Sequence, residues 1–193
     1  IQSNGPGAAG ILGLGGGSVR VMNCTNKANI SGNGNYVGGI SGYASCDNCQ
    51  NYGTIINNTT ERGYTGGITG RGDVTGSTNS GNVTSYKTVA GITGAGDVTD
   101  SRNSGNITGT GIEVCGISGI GYVTNSHNTG NIYSTGQYAA GIIGQGGATG
   151  CTNSGKVTGK TCVGGISGTA NAGDNNYTKY ARDLDAIEYF YNG

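Results

Sequence analysis

The chain has 193 residues, of which 43 are glycine, one is proline and none is tryptophan; only 10% are charged and the formal net charge is zero. No basic run supplies the footprint that nucleic-acid phosphates need. No segment approaches the roughly 18 apolar residues of a membrane span, so neither nucleic acid nor membrane insertion is expected.

Glycine this frequent, without a collagen triplet, belongs either to low-complexity chain or to a repeat. Here it recurs at fixed positions. Residues 1–7 (IQSNGPG) read as the tail of a preceding turn, which suggests a segment of something longer. Ile1 opens no signal peptide.

From Ala8 onward a Gly-Ile-x-Gly tetrad returns every 24 to 29 residues, with its isoleucine at Ile11, Ile40, Ile68, Ile92, Ile117, Ile142 and Ile166. That period marks a solenoid, because one copy cannot cover its own apolar face. Two further β-branched columns follow the tetrad. One holds Val21, Cys46, Val74, Val98, Val123 and Ala148; the other holds Ile30, Ile55, Val83, Ile107, Ile132 and Val157. Three short strands per coil, separated by Gly and Asn turns, predict an all-β, parallel β-helix of about seven coils over residues 1–173. Extra residues fall near 15–18 in the first repeat and 57–60 in the second.

Glycines flank the tetrad isoleucine in two columns and imply either positive φ or an approach too close for Cβ. Asn26, Asn51, Asn79, Asn103, Asn128 and Asn153 read as a stacked amide ladder. After Gly168 the pattern changes. In 174–193 the apolar residues keep helical spacing, which predicts a short C-terminal amphipathic helix laid over the solenoid end as a cap.

The tetrads VGGISG (37–42), TGGITG, VAGITG, VCGISG, AAGIIG and VGGISG (163–168), with the segments CQNYG, STNSG, SRNSG, SHNTG and CTNSG, resemble the GLUG-type repeat over 8–168. The resemblance implies a module of a large bacterial cell-surface or secreted protein, as in adhesin-like proteins and the non-catalytic parts of IgA-specific metallopeptidases. It carries no catalytic residues, and the HExxH motif of a metallopeptidase is absent from this sequence.

Several residues invite chemistry. Cys24, Cys49 and Cys151 share a column with Ser77, Ser101 and Ser126, which suggests a small inward slot. A Cys24–Cys49 bridge, or zinc on Cys24, Cys46 and Cys49, is the sharper alternative. Arg71-Gly72-Asp73 spells the integrin tripeptide, but the aligned Ala95-Gly96-Asp97 makes turn chemistry the simpler reading. Stacked Asp73 and Asp97, with Asp100 nearby, offer oxygens for calcium only as a minority alternative. His127 aligns with Thr78, Arg102 and Thr152, outside any catalytic cluster.

Two outward columns are the candidate ligand-binding residues. Tyr36, Tyr64 and Tyr138 precede their tetrads at one register, interleaved with Thr88, Glu113 and Cys162. Exposed tyrosines at repeating heights suit sugar rings or a protein partner. Thr75, Thr99, Thr124 and Thr149 form a threonine row of the kind seen on ice-binding solenoids.

The expectation is a non-enzymatic, extracellular or cell-surface stalk or adhesin-like module, without cofactor or metal, that binds glycan or a host surface protein. The alternatives are a fibre subunit that stacks end to end, an ice-binding solenoid and a polysaccharide-processing enzyme.

Overall fold

The computed structural model describes residues 1–168 and the strand Ile187–Tyr189. The chain winds as a coil through four parallel sheets, all strand pairs between successive coils being parallel. One coil illustrates the course. Val83–Ser85 lies in the first sheet, Thr88–Ala90 in the second, Thr93–Ala95 and Val98–Thr99 in the third, and Arg102–Asn103 in the fourth. The first sheet has eight strands, the second seven and the fourth six. In the third sheet the two strand rows merge into the long strands Ser118–Thr124 and Ile143–Thr149. The parallel β-helix is therefore present, with a fourth side that the three expected strands per coil did not include.

Register is in step throughout. Val83 pairs with Ile55 and Ile107, and Val98 with Val74 and Val123, so like residues stack over like. Ile40, Ile68, Ile92, Ile117 and Ile142 are fully buried and Ile166 nearly so. Each contributes on the order of 1.5–3 kcal/mol. Ile11 corrects the expectation of one unbroken spine: it is 50% exposed, on the outermost described coil, where only one neighbouring coil covers it. The interior is also two main lobes rather than one, with a small third cluster of Ala90, Cys115 and Ala140. The tetrad isoleucines pack with the Val74–Val98–Val123 column, whereas the first-sheet column packs with Val37, Val89 and Val114 of the second sheet.

The asparagine ladder is real and buried. Asn51 Nδ2 donates to Asn79 Oδ1 at 2.8 Å, Asn79 to Asn103 at 2.8 Å and Asn103 to Asn128 at 2.7 Å. Each Nδ2 also donates to the glycine carbonyl two residues on, as Asn103 does to Gly105 at 2.8 Å. A Cβ at Gly91 would run into the Asn103 side chain and the Gly116 carbonyl. Close approach, not positive φ, therefore explains this glycine column. A second ladder, on the surface, went unread in the sequence: Asn82 and Asn106 each accept the amide of the residue above at 3.0 Å.

Positive φ belongs to other positions. Asn23, Asn48, Gly76, Asp100, Asn125 and Gly150 occupy one turn column at φ between 48° and 65°. Only Gly, Asn and Asp enter that region at little cost, which accounts for the alternation.

Inside the third sheet, Ser41, Thr69, Thr93, Ser118 and Ile143 form a buried mixed column. The hydroxyls of Thr69, Thr93 and Ser118 each donate to a carbonyl of the preceding coil at 3.0 Å (Ala44, Gly72 and Gly96 in turn). The equivalent carbonyl beneath Ser41 falls in the insertion at 15–18, and Ser41 Oγ has no hydrogen-bond partner.

Of the helix expected at 174–193, only Ile187–Tyr189 is among the described residues, and it is a strand. It pairs with Val157–Gly159, placing Ile187 over Val157 in the first-sheet column. The physical reason is that an open sheet edge offers backbone donors and acceptors that a helix leaves unpaired. The remainder of the expected helix lies outside the described residues.

Two stability contrasts follow. Asn103→Ala, which removes a buried ladder amide, is expected to cost about 3 kcal/mol, and Asn82→Ala on the surface ladder less than about 1 kcal/mol. Ser118→Ala should cost about 1 kcal/mol, whereas Ser41→Ala, deleting an unsatisfied hydroxyl, should be neutral or stabilising. Denaturant midpoints at constant slope check both.

Candidate functional site

The glycine two places after each tetrad isoleucine decides the outer shape. In the strand Thr93–Ala95, a Cβ at Gly94 would stand 2.7 Å from the Thr65 amide nitrogen and 2.8 Å from Tyr64 Cβ. Without a side chain there, the third sheet closes against the second. The side chains on either side of the corner then share one groove running along the solenoid.

One wall of that groove is the tyrosine column: Tyr36, Tyr64, Thr88, Glu113 and Tyr138, at one register. The facing wall is Tyr43, Arg71, Ala95, Ile120 and Gln145. Tyr36 and Tyr64 are half-buried and stacked on adjacent coils, with ring centroids 6.3 Å apart and planes 14° from parallel. Tyr43 stacks on Tyr36 across the groove at 5.2 Å, and the Arg71 guanidinium lies 5.5 Å from the Tyr43 ring centroid. Such contacts hold the rings in place.

Tyr138 stands apart, three coils above Tyr64, with Gln137 Nε2 donating to its hydroxyl at 3.0 Å. Between them the groove opens into a cleft of about 610 Å³ lined by Tyr64, Arg62, Lys87, Thr88, Ile112, Glu113 and Ile120 among others. Glu113 is only 4% exposed. The Thr88 hydroxyl donates to its Oε2 at 2.6 Å and Gln145 Nε2 to its Oε1 at 2.5 Å.

The sequence points to Tyr36, Tyr64 and Tyr138 but not to Tyr43 or Gln145, and it shows Arg71 only as part of a turn tripeptide, not as a member of this groove. Tyr43, Arg71 and Gln145 directly follow the second glycine of their tetrads, on a different sheet, and nothing along the chain shows that this sheet folds back. The burial of Glu113 was likewise invisible, since a lone glutamate in an outward column reads as solvated.

The threonine row exists at the expected register, Thr75 on Thr99 on Thr124 on Thr149. It is a single file of exposed and half-exposed hydroxyls. Asp73, Asp97 and Tyr122 stand two residues before its first three members, and Tyr122 is 62% exposed. A broad flat threonine face is therefore not formed.

The remaining candidates are accounted for by the scaffold. Asp73 Oδ1 accepts the Asp97 amide at 3.0 Å and Asp97 Oδ1 accepts the Tyr122 amide at 2.9 Å, while Gly72 and Gly96 have φ of 140° and 152°. These are turn duties, and Asp100 belongs to the left-handed column. Among the described residues no group of three His, Cys, Asp or Glu side chains is arranged to hold a metal ion. His127 Nδ1 lies 2.7 Å from Thr152 Oγ1 in its own column.

All six cysteines are free thiols. Cys49 shares the inward slot with Ser77, and the Cys49 amide donates to Ser77 Oγ at 3.0 Å, as Ser77 does to Ser101 at 3.1 Å. Cys46 takes a core valine's place and Cys115 packs between Ala90 and Ala140. A hydrogen bond from the Cys46 thiol draws Cys49 down to about 7 despite burial, and that pairing with burial pushes Cys46 up.

No family model, curated protein or solved structure matches the chain.

Exposure and thiolate character oppose each other at Cys49, and access is expected to decide. Alkylation of the native protein at neutral pH should modify exposed Cys162 first and leave Cys46, Cys49, Cys115 and Cys151 protected until unfolding, as read by peptide mass mapping. Rapid labelling of Cys49 would show that the first coils open.

Proposed function

We propose that this chain is a non-catalytic β-solenoid module of a secreted or cell-surface protein, and that it binds glycan along the groove between its second and third sheets. The observation that carries the reading is the ring cluster Tyr36, Tyr43 and Tyr64, held by mutual stacking and by Arg71 at the side of an open cleft. Stacked rings present apolar surface of fixed geometry to the C–H face of a sugar, and preorganisation of this kind limits the entropic cost of binding. Resemblance to GLUG-type repeats supports the bacterial surface setting and an adhesin-like role.

Hydrolysis of a glycosidic bond ordinarily needs two carboxyl groups across the scissile bond. Glu113 is the one carboxylate among the described residues lining the cleft, and both its oxygens already accept hydrogen bonds. This favours retention over turnover.

End-to-end stacking into fibres is a second reading, favoured by Ile1, Ile11, Leu14 and Met22, which are 46–55% exposed on the outermost described coil. Sedimentation that stays monomeric as concentration rises excludes it.

A soluble oligosaccharide panel tests the main reading. Expected is saturable binding without product release, weakened about tenfold by Tyr64→Ala, since a lost stacking contact costs on the order of 1–1.5 kcal/mol. Release of shorter sugars overturns the non-catalytic assignment, and failure to retain any glycan overturns the binding assignment.

A further inference from the structure

The tyrosine stack is interrupted two coils above Tyr36, at a position beside the cleft. Tyr36 and Tyr64 occupy successive coils, and the next position at that register is Thr88. The facing residue on the same coil is Ala95. On the two coils below, the corresponding pairs are Tyr36 with Tyr43 and Tyr64 with Arg71, large enough to fill the groove. The cleft of about 610 Å³, which runs from Asn35 and Tyr36 past Tyr64 to Glu113, passes over Thr88, where the small side chain leaves room that a tyrosine would fill. Parallel coils lie about 4.8 Å apart, within the 4.5–7 Å at which rings stack. A ligand ring seated over Thr88 therefore continues the column on Tyr64.

The polar groups around that seat choose the ring. Glu113, above it, is buried and has no cationic partner in an ion pair among the described residues. A carboxylate has about four acceptor positions, and Thr88 and Gln145 occupy two. A buried charge held only by neutral donors gains from further hydroxyl donors. A polyhydroxylated ring supplies them, and a plain aromatic ring does not. At the mouth of the cleft stand two cations, the exposed Arg62 and the half-exposed Lys87. They are placed for an anionic substituent on the same ring.

We infer that the recess over Thr88 is a subsite for one acidic pyranose residue, a uronic acid within a polysaccharide. Its C–H face rests on Tyr64, its hydroxyls donate to Glu113, and its carboxylate pairs with Arg62 and Lys87. This rests on the glycan-binding reading and adds the sugar class to it.

Calorimetry with a galacturonic acid trisaccharide and the neutral galactose trisaccharide of the same linkage provides the test. The acidic sugar is expected to bind at least about tenfold more tightly at low salt, with the preference shrinking as ionic strength rises. The double variant Arg62→Gln with Lys87→Gln, both changes on the surface, should equalise the two sugars. Thr88→Tyr should fill the recess and abolish binding while leaving the circular dichroism spectrum unchanged. Equal affinities in the parent protein, with Tyr64→Ala still weakening both, overturn the acidic subsite and leave the glycan groove standing. An acidic preference that survives the double variant also overturns the subsite. Binding of neither these sugars nor any other glycan overturns both.

Discussion

A coil of about two dozen residues has no interior of its own, so every buried side chain here is covered by the coils above and below it. In-register stacking is the constraint from which the rest of the structure descends. It pairs each backbone strand with its equivalents, and it places Ile92 on Ile68 and beneath Ile117. It also turns a polar residue at an inward position from a liability into a ladder. The burial of Asn103 is offset because Asn79 and Asn128, at the same register on the coils below and above, supply the partners its amide needs. Where the stacking is locally out of step, as under Ser41, the polar group is left orphaned.

The same constraint sets the composition. Tight packing of coil on coil excludes Cβ atoms where the asparagine side chains pass and where the third sheet closes on the second, and glycine fills both columns. The left-handed turn column has a looser requirement, satisfied by Gly, Asn or Asp alike. The Cys/Ser slot is looser still, since either side chain fits and either one donates to the carbonyl two residues back: Ser126 Oγ to Thr124 at 2.8 Å, Cys151 Sγ to Thr149 at 3.4 Å. The degree of variation in each column thus tracks how narrowly physics limits it.

Outward positions escape that discipline, and the chemistry is written there. Along the groove the repeat supplies evenly spaced sites, and the chain fills them unevenly: Tyr, Tyr, Thr, Glu, Tyr on one wall and Tyr, Arg, Ala, Ile, Gln on the other. The cleft passes over Thr88, the smallest residue of the first wall, and the buried carboxylate beside it comes from the next coil. A regular scaffold gives an irregular surface its geometry.

What the sequence by itself determined was the solenoid. Repeated Ile, Val, Gly and Asn at a fixed period specify which residues stack, because register in a β-helix is a property of the period. The isoleucine spine from Ile40 to Ile166, the asparagine ladder and the Cys/Ser slot were all legible for that reason. What only the tertiary structure decided was the angle between neighbouring sheets. That angle makes a fourth side, divides the core into two main lobes, and sets Tyr43 and Arg71 against Tyr36. It also buries Glu113 between Thr88 and Gln145. Contacts along the stacking axis repeat with the chain and can be counted off it. Contacts across a corner depend on backbone direction at a few glycines, which one-dimensional periodicity does not encode.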